Sequence, residues 1–313
     1  MVADISIRHL TVSFETAQGP VEAVSDLSTT FRAGRISGVI GESGSGKSVM
    51  GMSMLRLLPN TARVSGECWF GEKELYTLPL RELRKLRGAS IGLIPQNPNA
   101  SLDPVMRIRR QITEAVTAHG SGNRKNAQAQ AVYLLEQFGF ERPEEILRQY
   151  PFQMSGGMNQ RLVSALGLVC HPGWVIADEP TKGLDAVIRN QVYTVLRQIY
   201  TEYHSSMIVI THDLCLAQKL CDDIRVLYRG QIVEQGAADE VMNYPRHPYT
   251  AGLIGALPTR GMKPVPASDP AKENHKGCPF YPRCEKAVER CSQEVPKDFE
   301  RPQCGKVRCF LYA

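Results

Sequence analysis

The chain has 313 residues, enough for two modest domains or one large core with an appendage and too many for a single mini-domain. Hydrophobic residues make up 42% and charged residues 22%, which excludes an intrinsically disordered chain, while a net charge of +5 is too small by itself to argue for nucleic acid or anionic lipid. No apolar run approaches the roughly 18 residues of a bilayer-crossing helix, and Met1-Val2-Ala3-Asp4 lacks the basic and apolar regions of a secretory signal, so a reducing cytoplasm is the expected address.

Ile5 to Phe14 and Val21 to Phe31 read as strands, rich in β-branched and partly alternating apolar residues, with the turn-forming Gly19-Pro20 between them. Ile36 to Ile40 is a short apolar strand that runs into a glycine-rich loop, and Lys47 to Leu58 follows with a helical pattern. From Pro104 to Tyr150 the periodicity is helical, as at Ala131, Leu134, Leu135 and Phe138, and predicts an all-helical insertion with a loop at Gly120-Ser121-Gly122-Asn123. Two more apolar strands, Trp174 to Ala177 and Met207 to Ile210, are separated by a helix with apolar residues at Val187, Val192, Val195, Leu196 and Ile199. This alternation predicts right-handed crossovers and a parallel sheet covered by helices, an α/β fold. After Gly236 one or two short helices lead to a proline-rich linker, Pro258 to Pro270, and then to a cysteine-rich segment.

Three short motifs carry chemistry. Gly41-Glu42-Ser43-Gly44-Ser45-Gly46-Lys47-Ser48 matches G-x-x-x-x-G-K-[ST] between a buried strand and a helix. Its glycines let backbone N–H groups converge on a phosphate, Lys47 reaches the β- and γ-phosphates, and Ser48 is a Mg²⁺ ligand. The strand from Trp174 ends in Asp178 and Glu179, an acid placed to hold the metal and a second placed to take a proton from an attacking water. Ser155-Gly156-Gly157 opens a helical pattern, with Ser155 as N-cap, and forms a further anion site; an ordinary helix cap is the plainer alternative.

In this order, and with Thr211-His212-Asp213 downstream, these motifs resemble the ATP-binding subunit of an ABC transporter over residues 4 to 243. The resemblance implies that Phe14 stacks on adenine, that Gln96 contacts Mg²⁺ and signals to membrane subunits, that Asp185 lies at a dimer interface, and that His212 senses the γ-phosphate. Alone, Phe14 would be core and His212 a loop residue. Met154 stands where this family commonly has leucine and Met158 where it has glutamine, which leaves the Ser-Gly-Gly backbone donors in place. The implied architecture is a P-loop NTPase (ABC ATPase) core with a mostly parallel sheet, an antiparallel β subdomain and a helical subdomain of about residues 104–170. In such proteins two cassettes meet head to tail around ATP, which holds them closed until it is hydrolysed.

Of nine cysteines, Cys68, Cys170, Cys215 and Cys221 are scattered and read as small buried apolar residues. Cys278, Cys284, Cys291, Cys304 and Cys309 crowd into the last 36 residues, and in a reducing compartment such density calls for a ligand. The chemistry of four clustered thiols supports either zinc or iron–sulfur. Arg246-His247-Pro248-Tyr249-Thr250 and Gly277-Cys278-Pro279-Phe280-Tyr281-Pro282-Arg283-Cys284 resemble the tails of oligopeptide, dipeptide and nickel importer ATPases. That resemblance implies a [4Fe-4S] cluster on Cys278, Cys284, Cys291 and Cys309, with Cys304 as a spare, and zinc as the alternative. It divides the chain into a nucleotide-binding domain (1–257) and a linker with a small cysteine-rich extension (258–313). The function implied is MgATP hydrolysis coupled to uptake of oligopeptides or dipeptides from the cytoplasmic face of the membrane. Its partners would be two permease subunits, a second ATPase, either a paralogue or a second copy, and an extracytoplasmic solute-binding protein, without nucleic acid. A nickel or metal-chelate importer is the nearest alternative, and a soluble ABC-type ATPase acting on nucleic acid or ribosomes the more distant one.

Overall fold

A computed structural model describes residues 2–119, 124–263, 265–272, 275–301 and 305–313. Its strands are β1 (Ile5–Thr16), β2 (Gly19–Phe31), β3 (Ile36–Ile40), β4 (Ala62–Phe70), β5 (Lys73–Glu74), β6 (Ile91–Ile94), β7 (Trp174–Asp178), β8 (Ser206–Thr211), β9 (Asp223–Tyr228), β10 (Gln231–Ala237), β11 (Phe299–Arg301) and β12 (Gly305–Val307). Its helices are α1 (Lys47–Met54), α2 (Leu80–Leu86), α3 (Pro98–Ser101), α4 (Ile108–Ala118), α5 (Arg124–Gln137), α6 (Pro143–Arg148), α7 (Gly156–Leu168), α8 (Ala186–Tyr203), α9 (Leu214–Leu220), α10 (Ala238–Asn243), α11 (Pro248–Gly255) and α12 (Arg290–Gln293). None of the described helices is long and apolar enough to cross a membrane.

The chain forms two compact units, one of Met1–Asp4, Phe31–Ile36 and Phe70–Ile210, the other of Ile5–Thr30, Ser37–Trp69 and Thr211–Ala313. In the second, β1 and β2 are joined by the two-residue turn at Ala17-Gln18 and are therefore antiparallel, with β4 on the far side of β1. The turn falls two residues before the expected Gly19-Pro20, because Gly19, at φ 109°, already begins β2. A separate run of strands follows the order β11-β12-β10-β9-β3. β3 is parallel to β9, with Ser37 opposite Asp223 and Ile40 opposite Val226. All five β3 residues are buried, as expected of a strand covered on both faces, whose sequence reads as an apolar run without alternation.

In the first unit β6, β7 and β8 are parallel neighbours, Ile94 facing Ala177 and Asp178 facing Ile210. Trp174, fully buried at the start of β7, donates its indole N–H to the carbonyl of Ala3 at 2.8 Å. The expected helical insertion is present as α4, α5, α6 and α7, with Ala131, Leu134, Leu135 and Phe138 buried. Its expected loop at 120–123 lies outside the described residues. On α8 the buried face is Val192, Val195, Leu196 and Ile199, whereas Val187 is 69% exposed. Cys68 and Cys221 are buried, but Cys215 is exposed on α9, away from the buried Leu214, Leu216 and Leu220.

The tail is more firmly built than its composition suggests. β12 extends the strand array by antiparallel pairing with β10, Glu234 facing Val307, and β11 folds back on β12. Phe280 is 2% exposed and packs against Tyr228 and Tyr249, with ring centroids 5.3 and 5.5 Å away.

Candidate functional site

The glycine-rich loop joins β3 to α1, and its backbone can be made only with glycine at key points. Gly46 sits at φ 99°, and a Cβ there would lie 2.3 Å from the carbonyl oxygen of Ala23. Lys47 is 6% exposed and its ammonium donates to the carbonyls of Gly41 and Glu42, each at 2.8 Å, with Ser45 Oγ at 3.4 Å. The cation is thus held inside the ring of loop residues whose N–H groups suit phosphate. Ser43 and Gly44 are exposed, Gly41 and Ser45 are buried, and Ser48 is half-buried on the first turn of α1. Phe14 is half-buried on β1, and His212, directly after β8, is exposed. The neighbouring Asp213 caps α9 by accepting the N–H of Leu216 at 3.0 Å.

In the other unit, the register of β6 and β7 brings Gln96 and Glu179 to the same edge, each two residues beyond the facing pair Ile94 and Ala177. Asp178 and Glu179 are both 5% exposed. Glu179 adopts φ 50° while its N–H donates to the carbonyl of Ile210 at 2.8 Å. A left-handed glutamate costs about 1–2 kcal/mol, so the surrounding fold imposes this backbone turn at Glu179. Ser155 caps α7, accepting the N–H of Met158 at 3.3 Å, and Ser155 and Gly156 are exposed with no atom within 4 Å of a Cβ built on Gly156. Asp185 is exposed and caps α8 through the N–H of Ile188 at 2.9 Å.

Further residues near the phosphate loop, from the two tail motifs but with no nucleotide role assigned by the sequence, come from α11 and the cysteine-rich segment. The N–H of Glu42 donates to the hydroxyl of the fully buried Tyr249 at 2.9 Å. The carboxylate of Glu42 receives both terminal nitrogens of Arg283, at 2.8 and 3.0 Å. A cavity of about 400 Å³ opens here, lined by loop residues Glu42 to Ser45 together with Tyr228, Arg229 and Arg283.

α11 is itself fixed by a buried polar lock. His247, 1% exposed, caps the helix by accepting the Tyr249 N–H at 3.0 Å, and the Glu234 carboxylate accepts the N–H groups of Arg246 and His247 at 2.8 and 2.9 Å. Burial lowers the pKa of His247 to about 3, so the imidazole is neutral when folded. An unfolded histidine takes up a proton near pH 6.5, so stability is lost as pH falls from there towards 3. Burial raises the Glu234 pKa, which works in the opposite direction over the carboxylate range. A His247→Asn variant, with a capping oxygen but no titrating ring, should lose less stability than wild type between pH 7 and pH 4.5. Urea unfolding at the two pH values measures the difference.

In the tail Cys278, Cys291 and Cys309 are buried and Cys284 half-buried. Burial pushes Cys278 up to about 12, with Cys291, Cys309 and Cys284 adding in the same direction, so the four thiols share one neighbourhood. The backbone two residues on pulls the other way at three of them: Phe280 on Cys278, Lys286 on Cys284 and Leu311 on Cys309. Gly277 is required beside them, since a Cβ there would lie 2.1 Å from the carbonyl oxygen of Cys291. Among the described residues, however, no three His, Cys, Asp or Glu side chains form a group able to hold a metal ion. Cys304 lies outside the described residues.

Strand, phosphate loop and helix, with an acidic strand end and a helical insertion, define an ATP-binding cassette protein. The description "ABC transporter" matches residues 24–182, and "Oligopeptide/dipeptide transporter, C-terminal region" matches residues 233–291. The chain is 38% identical to the oligopeptide transport ATP-binding protein OppD of Escherichia coli, covering 98% of this chain and 92% of that one. It is 37% identical to the dipeptide transport ATP-binding protein DppD of the same organism, over 94% and 92%. It is 35% identical to the oligopeptide transport ATP-binding protein AppD of Bacillus subtilis, over 98% and 96%. Among solved structures, a dimer of the bacterial ABC transporter cassette MJ0796 superposes with a TM-score of 0.67 at 24% identity, over 75% of this chain and 98% of that one, a likeness of fold. The chain belongs to the ABC transporter family, as one of its ATP-binding, ATP-hydrolysing subunits.

Proposed function

We propose that this chain drives an importer of oligopeptides or dipeptides from the cytoplasmic face of the membrane. Support comes above all from one pairing: a complete set of nucleotide motifs followed by a C-terminal region that matches the oligopeptide/dipeptide transporter description. In this reading residues 1–257 are the nucleotide-binding domain and 258–313 its cysteine-rich extension. Partners are two permease subunits, a second ATPase and an extracytoplasmic binding protein.

Within the nucleotide site, Phe14 stacks on the base, and the N–H groups of Gly41 to Ser48 with the Lys47 ammonium hold the phosphates. The Ser48 hydroxyl, the Asp178 carboxylate and the Gln96 amide oxygen are hard oxygen donors that suit Mg²⁺, which neutralises phosphate charge when bound. Glu179 accepts the proton of the attacking water, and His212 reads the terminal phosphate. Ser155, Gly156 and Gly157 of a second cassette close over the same phosphate, with Asp185 at the interface. The exposure of Ser155, Gly156 and Asp185 supports a partner-facing role.

For the tail, the reading is a [4Fe-4S] cluster on Cys278, Cys284, Cys291 and Cys309. Support comes from four thiols that share one neighbourhood, in a tail whose residues 233–291 match the oligopeptide/dipeptide transporter C-terminal region. Anaerobic purification of the chain should yield iron and sulfide in equal amounts with visible absorbance, and Cys291→Ser should lose both. Zinc without sulfide would overturn the cluster.

The transport reading is tested by co-purifying the chain with its membrane partners and measuring uptake of a labelled tripeptide and of nickel into vesicles. ATP-dependent entry of the peptide is expected. Nickel entry alone, or recovery with RNA and no membrane protein, would overturn it.

A further inference from the structure

Glu42 is an acidic residue inside a loop built to receive a highly charged anion. Left alone, a carboxylate half-exposed in that loop repels a triphosphate. Here it is not left alone. Arg283 makes a two-pronged ion pair with both Glu42 oxygens, and its side chain is only 15% exposed. The guanidinium is fixed from other sides as well: its Nε–H donates to the carbonyl of Pro266 at 2.7 Å, and it lies against the rings of Tyr228 and Phe280, 5.7 and 5.8 Å from their centroids. Such a planar, multiply anchored arginine is pre-organised to hold a carboxylate in one place. The Glu42 backbone is held by Tyr249, which packs on the same Phe280. Both Tyr249 and Arg283 fall within residues 233–291, the region matched to the oligopeptide/dipeptide transporter C-terminal description.

We propose that Arg283, reaching back from the cysteine-rich segment, is a positioning residue of the nucleotide site: it neutralises and orients Glu42 so that the phosphate loop accepts ATP. The role rests on the nucleotide-site reading given above. It makes the tail a working part of the ATP site, since a shift of the Tyr281-Pro282-Arg283 turn would release an uncompensated carboxylate into the loop.

A fluorescent ATP analogue titrated into the purified full-length chain tests this. Arg283→Gln should weaken binding about five- to tenfold, the size expected for one partly screened charge, and the deficit should shrink at 0.5 M salt. The discriminating readout is rescue: Glu42→Gln added to Arg283→Gln should return affinity to within about twofold of wild type, because the repelling charge is then gone. Arg283→Lys keeps the charge, disturbs packing less, and should fall between wild type and Arg283→Gln. An unchanged affinity in Arg283→Gln, an equal loss with and without Glu42→Gln, or a loss in Arg283→Lys as large as in Arg283→Gln would overturn the proposal. A wild-type chain that fails to bind the analogue would overturn the nucleotide-site reading itself, a distinct result.

Discussion

Replacing Glu179 by Gln is expected to lower steady-state ATP hydrolysis in the assembled transporter by about 10²- to 10⁴-fold, the range that removal of a general base commands, while leaving ATP binding intact. The side chains are nearly isosteric, and the residue's N–H bond to Ile210 involves only backbone, so the left-handed turn at the end of β7 should be preserved. What disappears is the capacity to accept a proton. The bound nucleotide would then persist, and cassettes that close on ATP should accumulate as ATP-bound dimers. Phosphate release together with size-exclusion chromatography in MgATP measures both consequences. Unchanged turnover would assign the proton to another group, and loss of ATP binding would make Glu179 a structural residue.

Replacing Lys47 by Ala should act one step earlier, on ATP binding. Charge-assisted hydrogen bonds contribute about 1.5–3 kcal/mol each, so losing the ammonium should weaken ATP by at least about 10-fold and up to about 100-fold, and adenosine far less. The variant should also be less stable without nucleotide. In wild type the ammonium satisfies the carbonyls of Gly41 and Glu42, and Ala would leave both without that donor in a partly buried loop, at a cost of about 1–3 kcal/mol. Binding titrations with ATP, ADP and adenosine, alongside urea unfolding, separate the two effects. Equal losses for adenosine and ATP would point to collapse of the loop instead of lost phosphate contacts.

These two variants probe features readable from short stretches of chain. A phosphate loop is eight contiguous residues whose φ requirements are met by glycine, so its strand, turn and helix follow from local chemistry. The helical insertion was equally legible, because Ala131, Leu134, Leu135 and Phe138 recur at helical spacing and are all buried. Legibility fell where spacing lost its regularity. Val187 fits the α8 stripe on paper yet faces solvent, since it lies in the first turn before the packed face begins. The tail has few aliphatics and still buries Phe280 and Val307, because strand pairing with β10 and aromatic packing replace an aliphatic core.

By itself the sequence determined the α/β class, the phosphate loop, the acidic strand end and the cysteine cluster, all encoded by residues near one another in the chain. Only the tertiary structure decided that Glu179 is held in a left-handed conformation, that Gln96 shares its sheet edge, and that Tyr249 and Arg283 seize Glu42 from 207 and 241 residues away. The physical reason is the range of the interactions. Backbone preference and hydrophobic period act over a few residues and leave a pattern, whereas an ion pair between a loop and a distant turn leaves none until folding brings its partners together.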